Sequence, residues 1–460
     1  MSIFGQICYN FHMKLKFCGG AKNVTGANYL INDSVLVDCG LNQGSNFLES
    51  INFEPFVYDP ETIKAVLITH AHIDHIGRLP QLYKAGFRGD IFSTSPTKDF
   101  AEELLLDSEN ILNREAREKN KEPIYSIEDV KNVMFLWKKV DYHEKLKINE
   151  LDIEFFNAGH ILGSSSISVS SGGKRVIFSG DLGNSPAPFI KDGDVIENAD
   201  YVLIESAYGD RLHENLESRK EMLEDFIEEI INTGGTLMIP AFAMERTQEL
   251  LFELNELVEN GRVPKVLVFV DSPLAIKLTS VYRKYSQDTR YFREEAIALL
   301  KKGDAIFNFP GLKTTLTTEQ SKEINNIPPP KIIIAGSGMS QGGRILHHEM
   351  RYLPDPKSAI LFIGYQVNGS LGRRILDGEK WVKINGEEIS VKCKMKSIAG
   401  YSAHADQRQL LNWLRPMRFS AKKVFVVQGE EKSALALAQE IKDELALNVI
   451  IPSVGEEFVL

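Results

Sequence analysis

The chain has 460 residues, 43% hydrophobic and 25% charged, a composition that excludes disordered and fibrous classes. Its net charge of −10 excludes a bulk basic coat. A nucleic-acid site would have to be a local basic patch, or use metal ions to meet phosphate. The length exceeds what one core usually supports and predicts two domains.

The four cysteines, Cys8, Cys18, Cys39 and Cys393, form no CxxC pair and read as free thiols in a reducing compartment. No apolar run reaches the roughly 18 residues needed to cross a membrane. The opening MSIFGQICYNFH lacks a basic region followed by an apolar stretch, so no signal peptide is expected. Residues 1–12 read as an extension ahead of Met13. A soluble, cytoplasmic chain with no membrane partner is predicted.

In chain order, short apolar runs of strand length end abruptly in polar or ionisable residues. Residues 35–37 end in Asp38, 65–69 in His70, 176–180 in Asp181, 201–204 in Glu205 and 424–427 in Gln428. Side chains that end core strands converge at one edge of a sheet, where ligands commonly bind. Helical patterns lie between these runs. Leu223, Phe226, Ile227, Ile230 and Ile231 mark one face, stopped by Thr233-Gly234-Gly235, and residues 245–259 form a second helix. Pro328-Pro329-Pro330 is a rigid connector into the buried-type strand Lys331–Ala335. Alternating strands and helices predict an α/β class.

The densest signal is His70-Ala71-His72-Ile73-Asp74-His75, which places four potential metal ligands within six residues. Imidazoles with a carboxylate suit zinc. His70 and His72 could share one metal while Asp74 and His75 turn toward a second; two adjacent metals clamp the attacking and leaving oxygens of a phosphoryl transfer. The remaining ligands must come from elsewhere. His160 sits in Asn157-Ala158-Gly159-His160-Ile161-Leu162-Gly163 and Asp181 in Phe178-Ser179-Gly180-Asp181. Alone, either residue could equally cap or start a turn.

Asp38, the HxHxDH of 70–75, His160 and Asp181 together resemble the metallo-β-lactamase superfamily. Further segments resemble its β-CASP branch of nucleic-acid-processing enzymes, which includes homologues of the mRNA 3′-end cleavage endonuclease and, more distantly, ribonuclease J. They run from Gly19-Gly20-Ala21 through Glu205-Ser206-Ala207-Tyr208-Gly209, Pro240-Ala241-Phe242-Ala243, Asp271-Ser272-Pro273, Ser337-Gly338-Met339 with Gly342-Gly343-Arg344, Gly364-Tyr365-Gln366 and Tyr401-Ser402-Ala403-His404-Ala405-Asp406 to Gln428-Gly429-Glu430.

The resemblance implies a four-layered αβ/βα sandwich with an inserted α/β domain. The lactamase-like domain would occupy 1–208 and 395–460, and the β-CASP domain 209–394, with the chain returning near Cys393. It also implies a zinc-dependent ribonuclease, endonucleolytic or 5′-exonucleolytic, holding two zinc ions and acting on single-stranded RNA, and it allows a homodimer. His70, His72 and His160 would hold the first zinc, Asp74 and His75 the second, and Asp181 would bridge them. Asp38 would stand behind a ligand imidazole and orient it. Glu205 would bond His404, which would give a proton to the leaving oxygen. The attacking group would be a metal-bound hydroxide.

One position departs from the pattern. RNA-cutting members carry histidine where this chain has Gln428, and a glutamine offers at most a neutral carbonyl oxygen to the second zinc. The glycine-rich turn Ser337, Gly338, Met339, Gly342, Gly343 with Arg344 reads as a phosphate or RNA cradle ahead of a helix. His347 and His348 read as a solvated helix face. Two rival functions stay open: a small-ester metallohydrolase, and a non-catalytic RNA-binding relative within a processing complex.

Overall fold

The protein is described by a computed structural model covering all residues except 1–12, 45, 119, 215, 304, 365, 367 and 368. Cys8, the proposed extension and Tyr365 of the Gly364-Tyr365-Gln366 motif therefore lie outside the described residues. Cys18, Cys39 and Cys393 are free thiols. No helix among the described residues is long and apolar enough to cross a membrane.

The chain folds into two compact units. The first comprises residues 1–182, 193–211 and 405–460; the second comprises 183–192 and 212–404. The divisions at 211/212 and 404/405 differ from the expected 208/209 and 394/395. The strand Lys394–Ser397, just after the expected return point, pairs in parallel with Ala359–Phe362, and this ladder carries the second unit's sheet past Cys393.

Two seven-stranded sheets build the first unit. One runs Glu457–Val459, Lys14–Gly19, Asn28–Ile31, Val35–Val37, Ala65–Leu67, Asp90–Ser93 and Trp137–Lys139. The other runs Val449–Ile450, Lys423–Val427, Tyr201–Glu205, Lys174–Phe178, Ser165–Ser171, Leu151–Asn157 and Lys145–Ile148. Their facing sides share one apolar core, which includes Phe17, Tyr29, Val37 and Leu67 from the first sheet and Phe155, Ile167, Phe178, Leu203 and Phe425 from the second. Aromatic rings bridge the sheets, with Phe17 and Phe425 centroids 5.3 Å apart. The outer side of the second sheet is covered by the helices Gln407–Leu414 and Glu431–Leu445, which bury Leu410, Leu414, Leu437 and Ile441 against Val202, Ile204, Val424 and Val426. Helices Leu79–Lys84, Ser95–Glu118 and Ile127–Phe135 accompany the first sheet. This is the four-layered αβ/βα sandwich.

Parallel pairing explains where the polar strand ends go. Val35–Val37 and Ala65–Leu67 are parallel neighbours. So are Lys174–Phe178 and Tyr201–Glu205, and Tyr201–Glu205 and Lys423–Val427. Residues that follow each strand therefore leave at a common edge, the usual ligand position of open parallel sheets.

The second unit holds a six-stranded sheet in the order Leu312–Thr314, Leu267–Val270, Lys331–Ala335, Thr236–Pro240, Ala359–Phe362 and Lys394–Ser397. Every pairing in it is parallel. Thr236–Pro240 and Lys331–Ala335 are buried along their whole length, as expected of parallel strands covered on both faces. The helix Leu216–Thr233 stops where expected, with Gly234 at φ +69°, and the second predicted helix spans Arg246–Glu259.

His347 is exposed, but His348 is buried, which corrects the reading of both as a solvated face. The His348 Nε2 lies 2.8 Å from Asp271 Oδ2, and Asp271 also accepts from Thr315, Ser321 and Arg344. Burial would push the Asp271 carboxyl up, yet these donors, His348 foremost, hold it well below the usual carboxylate range.

On the same helix, Ile345–Tyr352, Glu349 is fully buried and receives the Ser340 hydroxyl on Oε1. Burial pushes its carboxyl up to about 8, with Ser340 opposing. A carboxyl raised on folding favours the folded state at low pH, and that contribution is lost as pH rises from its ordinary value of 4.5 toward about 8. We expect Glu349→Gln to flatten the stability profile across that window and to be the more stable form at its upper end. Urea midpoints measured across the window check this; parallel profiles for the two proteins would contradict it.

Candidate metal centre

The 70–75 motif follows Ala65–Leu67 and turns at once into the one-turn helix Ile73–Ile76, with His72 at its N-cap. The turn is locked to the preceding strand end by backbone bonds. Cys39 N–H donates to His75 O at 2.7 Å, Leu41 N–H to Ile73 O at 3.0 Å and Ala27 N–H to Asp74 O at 2.9 Å. A side chain at Gly40 would place its Cβ 1.5 Å from the Asp74 carbonyl oxygen. The glycine is therefore required by close backbone approach.

Three imidazoles converge. His70 Nε2 and His72 Nδ1 are 2.9 Å apart, and His160 Nε2 and His72 Nδ1 are 3.2 Å apart. Asp181 Oδ2 lies 3.4 Å from His70 Nε2 and 3.6 Å from His160 Nε2. One ligand atom from each of these four residues falls within a 4.8 Å set. Four N and O atoms around one tetrahedral zinc sit about 3.3 Å from one another, given bond lengths of about 2.0–2.1 Å. The spacing and the donor set therefore fit a divalent cation of the zinc type.

Asp181 faces a second group through its other oxygen. Its Oδ1 lies 3.4 Å from His75 Nε2, and Asp74 Oδ2 is 3.8 Å from that same nitrogen. One carboxylate thus addresses two groups of donors, one oxygen to each. His75 is held from behind: its Nδ1 lies 2.7 Å from Asp38 Oδ2. Asp38 also accepts the Thr69 N–H and hydroxyl, both at 2.8 Å, and occupies the left-handed region at φ +59°, where Asp is tolerated better than most residues. Glu205 is fully buried and accepts the Leu182 N–H at 2.6 Å, which fixes the backbone just after Asp181.

Gln428 does reach the cluster, but with its amide nitrogen. Nε2 donates to Asp181 Oδ1 at 2.9 Å and faces His75 Nε2 at 3.0 Å, while Oε1 accepts the Tyr29 hydroxyl at 3.3 Å. The carbonyl oxygen expected as a ligand is turned away toward Tyr29. The sequence reading missed Tyr29, which lies 399 positions from Gln428 and has no local signal. It also missed Thr69, whose place beside the motif was its only hint.

Burial lowers the proton affinity of His70, and neighbouring His75 lowers it further. At His75 burial acts the same way but is outweighed by Asp181, Asp38 and Asp74, which raise it well above its ordinary value. Burial raises Asp74. Asp181 goes well below its ordinary value, against burial, because His75 and His70 stand beside it. Carboxylates and imidazoles this tightly gathered are an arrangement that a bound cation neutralises.

The other predicted residues lie in the second unit. His404 forms an isolated antiparallel bridge with Gly183. Arg344 is committed to structure: it donates to Asp271 Oδ1 at 2.8 Å and to the Thr315 and Leu316 carbonyls at 3.0 and 2.9 Å. The glycine turn folds on itself, with Ser337 N–H on Gly342 O and Ile345 N–H on Gly336 O. Gly343, at φ +72°, leaves no room for a Cβ, which would meet Gly336 O at 2.3 Å.

Because Gly40 supports the metal loop by contact alone, Gly40→Ala is expected to displace 74–75, lower bound metal and cost about 1–3 kcal/mol of stability. Metal analysis and thermal melting on one preparation check this. Full metal with an unchanged melting temperature would contradict it.

Residues 24–225 match the metallo-β-lactamase superfamily, 247–375 the β-CASP domain and 388–452 the Zn-dependent metallo-hydrolase RNA specificity domain. The chain is 38% identical to ribonuclease TTHA0252 of Thermus thermophilus, over 93% of this chain and 95% of that protein. It is 30% identical to an RNase J-like protein of Methanocaldococcus jannaschii, over 96% and 98% of the two chains. It is also 30% identical to transcription termination factor FttA of Methanosarcina mazei, over 93% of this chain and 69% of that one. A solved structure of a protein of unknown function from Enterococcus faecalis shares the fold, with a TM-score of 0.54 at 12% identity over 98% of this chain and all of the other. The chain belongs to the β-CASP family of RNA-processing nucleases within the metallo-β-lactamase superfamily.

Proposed function

We propose that the protein is a zinc-dependent ribonuclease that hydrolyses phosphodiester bonds of single-stranded RNA, as an endonuclease, a 5′-exonuclease or both. The observation that carries this reading is Asp181, whose Oδ2 faces His70 and His160 and whose Oδ1 faces His75, at 3.4–3.6 Å. A bridging carboxylate of this kind suits two adjacent metals, and two metals suit phosphoryl chemistry. His70, His72 and His160 with Asp181 would hold the first zinc. Asp74 and His75 with the other oxygen of Asp181 would hold the second. Bound zinc supplies Lewis-acid chemistry: it acidifies water and offsets phosphate charge.

The chain's own residues provide the rest. Asp38 accepts from His75 Nδ1 and so keeps the Nε2 lone pair for the second zinc. Glu205 steadies the Asp181 turn through Leu182 N–H. We assign His404 as the donor of the proton that the leaving oxygen requires. We place a phosphate of the RNA at the loop 337–344, beside Arg344, whose guanidinium is anchored by Asp271.

End-labelled RNA incubated with and without chelator tests the activity. Cleavage is expected to stop on chelation and to return with zinc; cleavage indifferent to chelator would remove the metal from the reading. His72→Ala is expected to lose both metal and cleavage. His404→Ala is expected to retain metal while losing about 10²–10⁴-fold in rate. Binding should favour single-stranded RNA over duplex DNA and weaken with salt.

Gln428 is the weak point of the second site, because its nitrogen already donates to Asp181 and cannot also bind a cation. Gln428→His is expected to raise zinc per chain toward two and to increase cleavage. Unchanged zinc and unchanged rate would show that this position does not limit the centre.

A further inference from the structure

In the second unit, the backbone leading to His404 is held by an unusual set of donors. Residues 400–404 form the end of a single 3-10 turn, Ala399–Tyr401, and an irregular stretch after it, so no helix or ladder satisfies their carbonyls in series. Every carbonyl from Gly400 to His404 nonetheless accepts a hydrogen bond from a residue distant in sequence. Gly400 O receives Arg219 Nη1 at 2.8 Å and Asn184 Nδ2 at 3.2 Å. Tyr401 O receives Arg246 Nη1, and Ser402 O receives Asn184 Nδ2 at 3.0 Å. Ala403 O receives the Asn184 N–H at 2.8 Å, and His404 O faces His213 Nε2 at 3.1 Å. A carbonyl can only accept, so that ring nitrogen carries the proton.

The donors are themselves fixed. Arg219 and Arg246 are buried on the helices Leu216–Thr233 and Arg246–Glu259. Arg219 Nη2 bonds Glu253 Oε1 at 2.6 Å, and the Tyr401 hydroxyl bonds the other oxygen of Glu253. Arg246 Nη1 also bonds Glu249 Oε2 at 2.7 Å. The guanidinium of Arg219 lies 4.5 Å from the centre of the Tyr401 ring. Buried arginines paired with Glu249 and Glu253, the latter also bonded to the loop's Tyr401 hydroxyl, have few alternative arrangements, so the loop inherits the rigidity of two helices.

We propose that Asn184, Arg219 and Arg246 are positioning residues for His404: through the carbonyls of 400–403 they fix the backbone from which its imidazole acts. This rests on the assignment of His404 as proton donor. A buried loop needs partners for its carbonyls in any case, so the experiment must separate positioning from simple satisfaction. Asn184→Ala removes two carbonyl bonds from a half-buried site, and Arg246→Lys keeps the charge on a shorter side chain than the one whose Nη1 reaches the Tyr401 carbonyl. Each is measured alone and combined with His404→Ala. Readouts are single-turnover cleavage of end-labelled RNA, zinc content, RNA affinity and hydrogen exchange of the 400–405 segment.

Each cradle variant is expected to lose between about tenfold and a hundredfold in rate with zinc and RNA affinity unchanged. Neither should cost anything further in the His404→Ala background. Exchange in 400–405 should rise about fivefold for each bond lost. The inference is overturned if exchange there is unchanged, or if the variants keep the wild-type rate while His404→Ala loses it. Equal rate loss in both backgrounds overturns it too, since that marks a general structural effect. Should His404→Ala itself keep the full rate, the proton-donor assignment falls and takes this inference with it. If Arg246→Lys fails to fold, Asn184→Ala decides the question.

Discussion

A buried carboxylate is costly unless it meets opposite charge or hydrogen-bond donors, and Asp181 stands under that requirement. It is buried, and its neighbours are imidazoles: His70 and His160 on Oδ2, His75 on Oδ1. Around it the chain supplies two further carboxylates, Asp74 and Asp38, of which Asp38 is spent on His75 and Thr69. Such a gathering of carboxylates and imidazoles suits a divalent cation. The core of aromatic and branched residues beneath it provides the packing that holds the ring nitrogens in place.

The same electrostatics explain how Gln428 is accommodated. With no imidazole at this position, the amide turns its nitrogen toward Asp181 Oδ1 and its oxygen toward the Tyr29 hydroxyl. A neutral donor facing a carboxylate is good local chemistry and partly relieves that oxygen's need for a cation. The two groups of donors around Asp181 are therefore unequal. The first has three imidazoles and an oxygen; the second has His75, Asp74 and an oxygen already shared with an amide.

In the second unit, polar groups are buried to set geometry. Asp271 gathers His348, Thr315, Ser321 and Arg344, which ties the glycine turn's helix to the neighbouring strand ends. Arg219, Arg246, Glu249 and Glu253 tie two helices to the 400–403 backbone. Removing one partner of such a set leaves an uncompensated buried group, which costs far more than the set contributes over a well-packed apolar alternative. These networks are better understood as specifying one arrangement of the loops than as a source of stability.

The amino-acid sequence by itself determined the ligand inventory and the class of fold. His70, His72, Asp74 and His75 are adjacent, and strand-length runs ending in Asp38, Asp181, Glu205 and Gln428 announce a polar sheet edge, because alternation and run length are local properties of the chain. Tertiary structure alone decided the rest. Tyr29 turns the Gln428 amide from across the sandwich, Asp271 engages Arg344 of the glycine turn, and His348 leaves its helix face for the interior. Pairing of Lys394–Ser397 with Ala359–Phe362 carries the second unit's sheet beyond Cys393. Each of these outcomes depends on a contact between residues 35 or more positions apart, in one case 399. Propensity and periodicity carry no information at that range, because the partner is selected by how whole sheets and helices pack.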